Sequence, residues 1–406
     1  PILAALERYF DRDYPYEKLD FIAVPEYWPG AMEHPGAVTY ATTILLADPD
    51  AVSVQQKSRM ARVIAHELAH MWFGDLVTME WWDDLWLNES FADWMGDKIT
   101  HEVYPELEVE ITELQSSIQV MSQDARPSTQ AIRQPVTNTD DLLQNVGLQY
   151  NKGKAVLAMF EQWVSPEKFR AGVLAYIKEN AWGNATSNDL WRALGQASGN
   201  DVASAMATFI DQPGLPLVTM EVLPENAIRF TQKRFSNFGA QQKDQLWKIP
   251  ITFRVAGGRG LVTETFLLTQ KSATVPLDLY GEASWYLPNA NQQGYYRWQV
   301  PTEDLKKMAG VASDSLNVRE RVGFLANLAA LLDAGEIGGD SYLAALAEFA
   351  DDPEPLVISS LLDEMQKIDL TFVTSSLRTP FANYVRQSLG PAMERLGMEA
   401  KSREDE

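Results

Sequence analysis

The chain contains no cysteine. Disulfides and thiolate metal sites are thereby excluded, and any metal must be held by imidazole and carboxylate groups. Histidine is scarce too, with four among 406 residues. Basic charge is in deficit: 34 Lys and Arg face 56 Asp and Glu, a formal net charge of −22. A chain this acidic is a poor partner for nucleic acid or an anionic lipid surface. The charge favours solubility and would attract cationic amines. Also missing are an apolar run of about 18 residues and an opening basic stretch that leads into an apolar one, so neither a membrane span nor a signal peptide is expected. Cytoplasmic and exported locations both stay open. No initiator Met is present either. Pro1 leads at once into Ile2–Phe10, which reads as a helix already under way, so a fragment of something longer is expected.

What is present reads as a folded, multidomain α+β chain. Hydrophobic residues make up 46% and charged residues 22%, ordinary for globular proteins, and 406 residues exceed one ordinary core. Helical periodicity runs to about Asp211, where Asp211-Gln212-Pro213-Gly214-Leu215-Pro216 breaks the pattern. Strand-like segments follow, among them Ile249 to Val255 and Leu261 to Leu268, linked by Gly257-Gly258-Arg259-Gly260. Helical period returns near Thr302, with Val322, Leu325, Leu328 and Leu331 to Leu332 on one face of a helix ending near Gly335. The expected domains are 1–213, mainly helical and carrying the chemistry, 214–303, a small β-sandwich, and 304–406, the start of an all-helical domain.

The chemistry is concentrated in His66-Glu67-Leu68-Ala69-His70. Two histidines four apart on a helix lie about 40° apart around its axis, one turn above each other, so both rings reach one ion. Ser53 and Gln56 fit a capping box, Val63, Ile64, Leu68, Met71 and Trp72 supply an apolar face, and Gly74 can end the helix. Glu67, about 100° around from His66, is placed to act on a water rather than to ligate. Catalytic zinc commonly takes three protein ligands and keeps a position for water. Glu89 is the expected third ligand, on a second amphipathic helix marked by Leu87, Phe91, Trp94, Met95 and Ile99. One zinc ion per chain is expected. With four histidines in the chain, a chance HExxH has a probability on the order of 0.3%.

HExxH followed by a Glu after eighteen residues, with Trp72 to Met79, Trp81 to Glu89 and the earlier Gly30-Ala31-Met32-Glu33, resembles the gluzincin aminopeptidases, the family of aminopeptidase N and leukotriene hydrolase. The resemblance implies a thermolysin-like catalytic domain, zinc held by His66, His70 and Glu89, and Glu67 as general base. It further implies a Gly30-Ala31-Met32-Glu33 strand along the substrate with Glu33 on the free α-amine, and Tyr150, in Gln149-Tyr150-Asn151-Lys152-Gly153, as hydrogen-bond donor to the oxyanion. The substrates would be peptides with a free N-terminus. His34 stands where the family has Asn, and Ser90 where it commonly has Gly. By the same resemblance, the family's large N-terminal β domain is expected to lie outside this chain. Asp93, four residues after Glu89, and Asp75 are rival candidates to orient a ligand histidine; the bland alternative for each is a capping or surface role. Five tryptophans between Trp72 and Trp94 are expected to wedge the two metal-bearing helices. An epoxide hydrolase of the leukotriene hydrolase kind, a non-catalytic scaffold and an endopeptidase are the alternative functions.

Overall fold

The structure is a computed structural model that describes residues 1–48, 50–143, 146–224, 227–240, 244–258, 260–277 and 282–397. Arg259 of the glycine-containing connection and the last residues, 398–406, lie outside them. Helices and small sheets together make a mixed α+β chain. The expected opening helix forms over Ile2–Phe10 and buries Leu6 and Phe10. Three strands follow, β1 (Asp20–Val24), β2 (Ala31–Met32) and β3 (Ala37–Ala41), in the order β1-β3-β2. β3 runs parallel to β1 and antiparallel to β2, setting Ala31 opposite Tyr40.

Three long helices form the centre of the helical region: the histidine helix Val54–His70, the glutamate helix Leu85–Val103 and the tyrosine helix Val146–Val164. Half of the expected capping box closes the start of the first, where Ser53 accepts from the Gln56 N–H at 3.1 Å. That helix ends at His70, four residues short of Gly74. Two glycines let the three helices approach closely. A Cβ on Gly96 would lie 3.1 Å from the Arg62 carbonyl oxygen and from the His66 nitrogen, so the first two helices touch backbone to backbone. A Cβ on Gly153 would lie 1.9 Å from Ser90 Oγ, so the tyrosine helix rests directly on the glutamate helix. Trp72, Trp86 and Trp94 are buried as expected, with Trp72 stacked on Phe10 at 5.0 Å. Trp81 and Trp82 depart from the wedge expectation: both are exposed, and the Trp81 indole donates to the Val136 carbonyl. They fall in the turn that joins strand β4 (Val77–Met79) to the glutamate helix. β4 pairs in parallel with β5 (Gly183–Ala185).

After the helix Val202–Ile210 come β6 (Pro216–Leu223), β7 (Ala227–Arg234), β8 (Ile249–Gly257), β9 (Gly260–Leu268), β10 (Ser272–Pro276), β11 (Trp285–Leu287) and β12 (Arg297–Gln299). They make one sheet ordered β10-β7-β6-β12 and another ordered β11-β8-β9. Phe230 of the first sheet meets Phe253 and Phe266 of the second at 5.2 and 4.6 Å. Alternation explains the layering, since Ile228, Phe230, Gln232 and Arg234 of β7 are buried in turn. Helices resume at Thr302–Gly310. In Val318–Asp333, Asn317 and Glu320 close a full capping box, Val322, Leu325, Leu328 and Leu331 face inward, and Gly335 follows in the left-handed region at φ 71°. A buried charge joins the helices to the first of these sheets. Lys152 and Asp124, both fully buried, pair at 2.9 Å, Asp124 accepts from the Gly214 N–H and the Tyr295 hydroxyl, and Lys152 donates to the Gly214 carbonyl.

Candidate metal centre

His66 and His70 extend from one face of the histidine helix, and their Nε2 atoms lie 3.0 Å apart. Glu89 Oε2, from the next helix, is 3.4 Å from the first and 3.6 Å from the second. Among the described residues this is the cluster whose donor atoms could hold a metal, all within 4.8 Å of one another. The far side of each ring is committed. His66 Nδ1 lies 2.8 Å from Asp93 Oδ1, and His70 Nδ1 lies 3.1 Å from the Phe73 carbonyl oxygen. Each Nδ1 therefore carries a proton and each Nε2 is turned inward, able to ligate a metal once it has no proton of its own. Two imidazoles, one carboxylate and room for a further ligand fit zinc.

The electrostatics point the same way. Burial opposes charge on His66, but the hydrogen bonds to Asp93 and Glu89 outweigh it and raise its pKa well above the usual range. Burial likewise opposes charge on His70, and the Glu33 charge with the Glu89 contact overcomes it, lifting the pKa to about 9. Burial disfavours a charged Glu89 as well, yet its contacts with both histidines hold it far below the ordinary carboxylate range. The pocket is built to hold positive charge between these three side chains.

A cavity of about 320 Å³ opens over the cluster, lined by Pro29, Gly30, Ala31, Met32, Glu33, Ile44, Arg59, Arg62, Val63, His66, Glu67, Glu89, Asp93, Asp97 and Tyr150. Glu67 is 5% exposed, its Oε2 has no hydrogen-bond partner, and burial pushes its carboxyl up to about 7. Glu33 accepts from the Asn88 amide at 3.5 Å and lies 3.9 Å from His70 Nδ1. The Tyr150 ring stacks along His66 with centroids 6.1 Å apart, and burial, then the Glu89 charge, raises its pKa far above the ordinary phenol value. Tyr150 thus keeps its proton and can donate it in a hydrogen bond.

His66, Glu89, Glu67, Glu33 and Tyr150 line the cavity with Gly30, Ala31 and Met32 along the wall, and His70, fully buried, joins His66 and Glu89 in the cluster. Asp93 bonds His66. Asp75, the rival, hydrogen-bonds neither histidine, because the Phe73 carbonyl takes the His70 ring proton; its Oδ2 is buried without a partner, and burial lifts the carboxyl to about 7. His34 is exposed and does not line the cavity. Several supporting contacts have no place in the sequence reading. Asn88 holds Glu33, and Ser90 Oγ donates to the Gln149 carbonyl, tying the residue after Glu89 to the residue before Tyr150. Asp97 receives Arg62 Nε at 2.5 Å on one oxygen and Lys154 Nζ at 2.8 Å on the other. A signal for this network existed, since Arg62, Asp97 and Lys154 stand four, eight and four residues from His66, Glu89 and Tyr150, each on the site-facing side of its helix.

Comparison with known proteins bears on the whole arrangement. A peptidase family M1 domain matches residues 1–209, and an ERAP1-like C-terminal domain matches 285–406. Aminopeptidase 2 of Candida albicans is 34% identical over 98% of this chain and 44% of its own length. Leucyl aminopeptidase of Saccharolobus solfataricus is 36% identical over 88% of this chain and 44% of its own length. The puromycin-sensitive aminopeptidase of Caenorhabditis elegans is 34% identical over 89% of this chain and 39% of its own length. The chain thus spans less than half the length of these relatives.

Proposed function

The chain belongs to peptidase family M1, and from that premise we propose that it carries the hydrolytic machinery of a zinc aminopeptidase that removes residues from the free N-terminus of peptides. The observation that supports this most is the meeting of Glu67, Glu33 and Tyr150 with the His66-His70-Glu89 cluster in one cavity. Zinc held by His66, His70 and Glu89 would supply a Lewis acid that polarises the scissile carbonyl and acidifies a water.

The chain's own residues do the rest. Glu33, fixed by Asn88, pairs with the substrate's α-ammonium, a charge-assisted bond that selects a chain end. Glu67, with a free oxygen and a carboxyl poised near 7, takes a proton from the attacking water and returns it to the leaving amine. Tyr150 donates to the oxyanion, a contact of the kind worth about 2.7–4 kcal/mol in the transition state. Asp93 keeps His66 in its ligating tautomer.

We assign residues 1–213 to a thermolysin-like catalytic domain, 214–303 to a β-sandwich and 304–406 to the start of a helical domain. The family match at the C-terminus begins earlier, at 285, and takes β11 and β12 with the helices.

A panel of chromogenic aminoacyl amides on the zinc-loaded protein tests the activity, and turnover of none of them sinks the reading. Glu67→Gln is expected to keep its metal and lose about 10²–10⁴-fold in rate. Free against N-acetylated peptides decide between chain-end and internal cleavage: equal efficiency with Glu33 intact, together with undiminished turnover of free peptides in Glu33→Ala, would make the enzyme an endopeptidase. The relatives named above are all named as aminopeptidases.

A further inference from the structure

The cavity has a second charged end that the reaction as derived does not use. Arg59, Arg62, Val63 and His66 recur at helical spacing along the histidine helix, and all four line the cavity. Glu33 sits at the other end, beside His70. Arg59 precedes His66 by seven residues, which is about 10 Å along the helix axis. A peptide with its ammonium on Glu33 and its scissile carbonyl at the histidines therefore directs its leaving portion towards Arg62 and Arg59.

The cations at that end are not all paired. Arg62 and Lys154 both pair with Asp97, and Asp93 is engaged by His66. Arg59 is exposed and, among the described residues, makes no ion pair. Among the described residues Arg59 is thus the cavity-lining cation without a carboxylate partner, in a chain whose net charge is −22. Arg62 is locked in place by Asp97, whereas Arg59 has its whole guanidinium fork available, and that fork matches a carboxylate in two-point geometry.

We propose that Arg59 makes the site selective for peptides that carry a carboxylate just after the scissile bond. The carboxylate is either an Asp or Glu side chain on the first leaving residue or the terminal carboxylate of a dipeptide. The inference rests on the aminopeptidase reading for the direction of the substrate.

The test compares two substrate pairs on the zinc-loaded protein and on Arg59→Gln. Ala-Glu-Ala-amide against Ala-Gln-Ala-amide reads the side-chain source, and Ala-Ala against Ala-Ala-amide reads the terminal one. The expected result is a preference of about three- to tenfold in kcat/KM for the charged member of at least one pair, the range for a partly exposed charge-assisted contact. In Arg59→Gln the preference falls to about one. Arg59→Glu reverses the order, favouring Ala-Lys-Ala-amide. The same pairs are measured for equilibrium binding to zinc-loaded Glu67→Gln, with and without Arg59→Gln, so the preference is read even where nothing is hydrolysed. Absence of turnover with every substrate counts against the aminopeptidase reading. Equal binding of charged and neutral members, or a preference that survives Arg59→Gln, overturns the role of Arg59.

Discussion

Gly153 is the position where a single methyl group is expected to do the most harm for its size. Its Cβ would stand 1.9 Å from Ser90 Oγ and 2.7 Å from Ser90 Cβ, far inside any tolerable contact. Ser90 follows the ligand Glu89, and Gly153 lies less than one turn after Tyr150, so relieving the clash must move the metal ligand away from the oxyanion donor. Overpacking of this kind costs about 1–3 kcal/mol, and Ser90 loses its bond to the Gln149 carbonyl, worth about 1 kcal/mol more. A shift of about 1 Å between Glu89 and Tyr150 would lower turnover on the order of 100-fold. Ser90→Gly removes both offending atoms and leaves Trp86 Cε3 at 3.2 Å as the nearest neighbour. Alone it costs the lost hydrogen bond plus about 1 kcal/mol of helix propensity. The double variant is therefore expected to be more active and more stable than Gly153→Ala, with a coupling energy of about 1 kcal/mol or more. Urea midpoints by tryptophan fluorescence and kcat/KM on an aminoacyl amide, for all four proteins, close the cycle. Additive effects, or an innocuous Gly153→Ala, would refute the account.

Asp93→Ala removes the acceptor that fixes His66 and is expected to weaken zinc binding about 10- to 100-fold, measured by chelator competition; an unchanged constant would reduce Asp93 to a surface role. Zinc uptake is expected to release protons near pH 7, because both Nδ1 atoms keep theirs while the raised pKa values of His66 and of His70, the latter about 9, leave the inward Nε2 atoms to give up protons to the metal. Affinity should accordingly rise with pH from neutrality upward; calorimetry in buffers of different ionisation enthalpy counts the protons, and a count of zero contradicts the raised histidine pKa values. Lys152→Met strands the buried Asp124 charge and should destabilise by about 3–5 kcal/mol, with Lys152→Met/Asp124→Asn milder; equal losses in the single and double variants would show that the pair itself matters little.

The parts of this site that were legible in the sequence are those whose function dictates a spacing within one element. His66, Glu67 and His70 are such a set, because a helix turn fixes their geometry. Ser53 as a cap, the inward face of the glutamate helix and the paired strands β8 and β9 were legible for the same reason, since a period of 3.6 or 2 is local. Composition says nothing of where Trp81 and Trp82 point: an indole in a turn between elements follows no period, and both lie at the surface. Asp75 misled by proximity, since sequence spacing does not reveal that the Phe73 carbonyl already occupies His70.

The least legible layer is the one that holds the three site helices in register, and it is made of pairings across helices. Ser90 meets Gln149, Arg62 and Lys154 share Asp97, and Lys152 reaches Asp124. Buried charge of this sort costs stability unless each partner is satisfied, so its presence one turn from His66, two turns from Glu89 and one turn from Tyr150 calls for a function beyond folding energy. Each pairing links elements that must move together if the distances among the metal ligands and Tyr150 are to hold. Apolar side chains could fill the same volume, but they tolerate sliding; a two-pronged carboxylate between an arginine and a lysine does not. Precision in the placement of Glu89 and Tyr150 is therefore set by residues that never touch the reacting atoms.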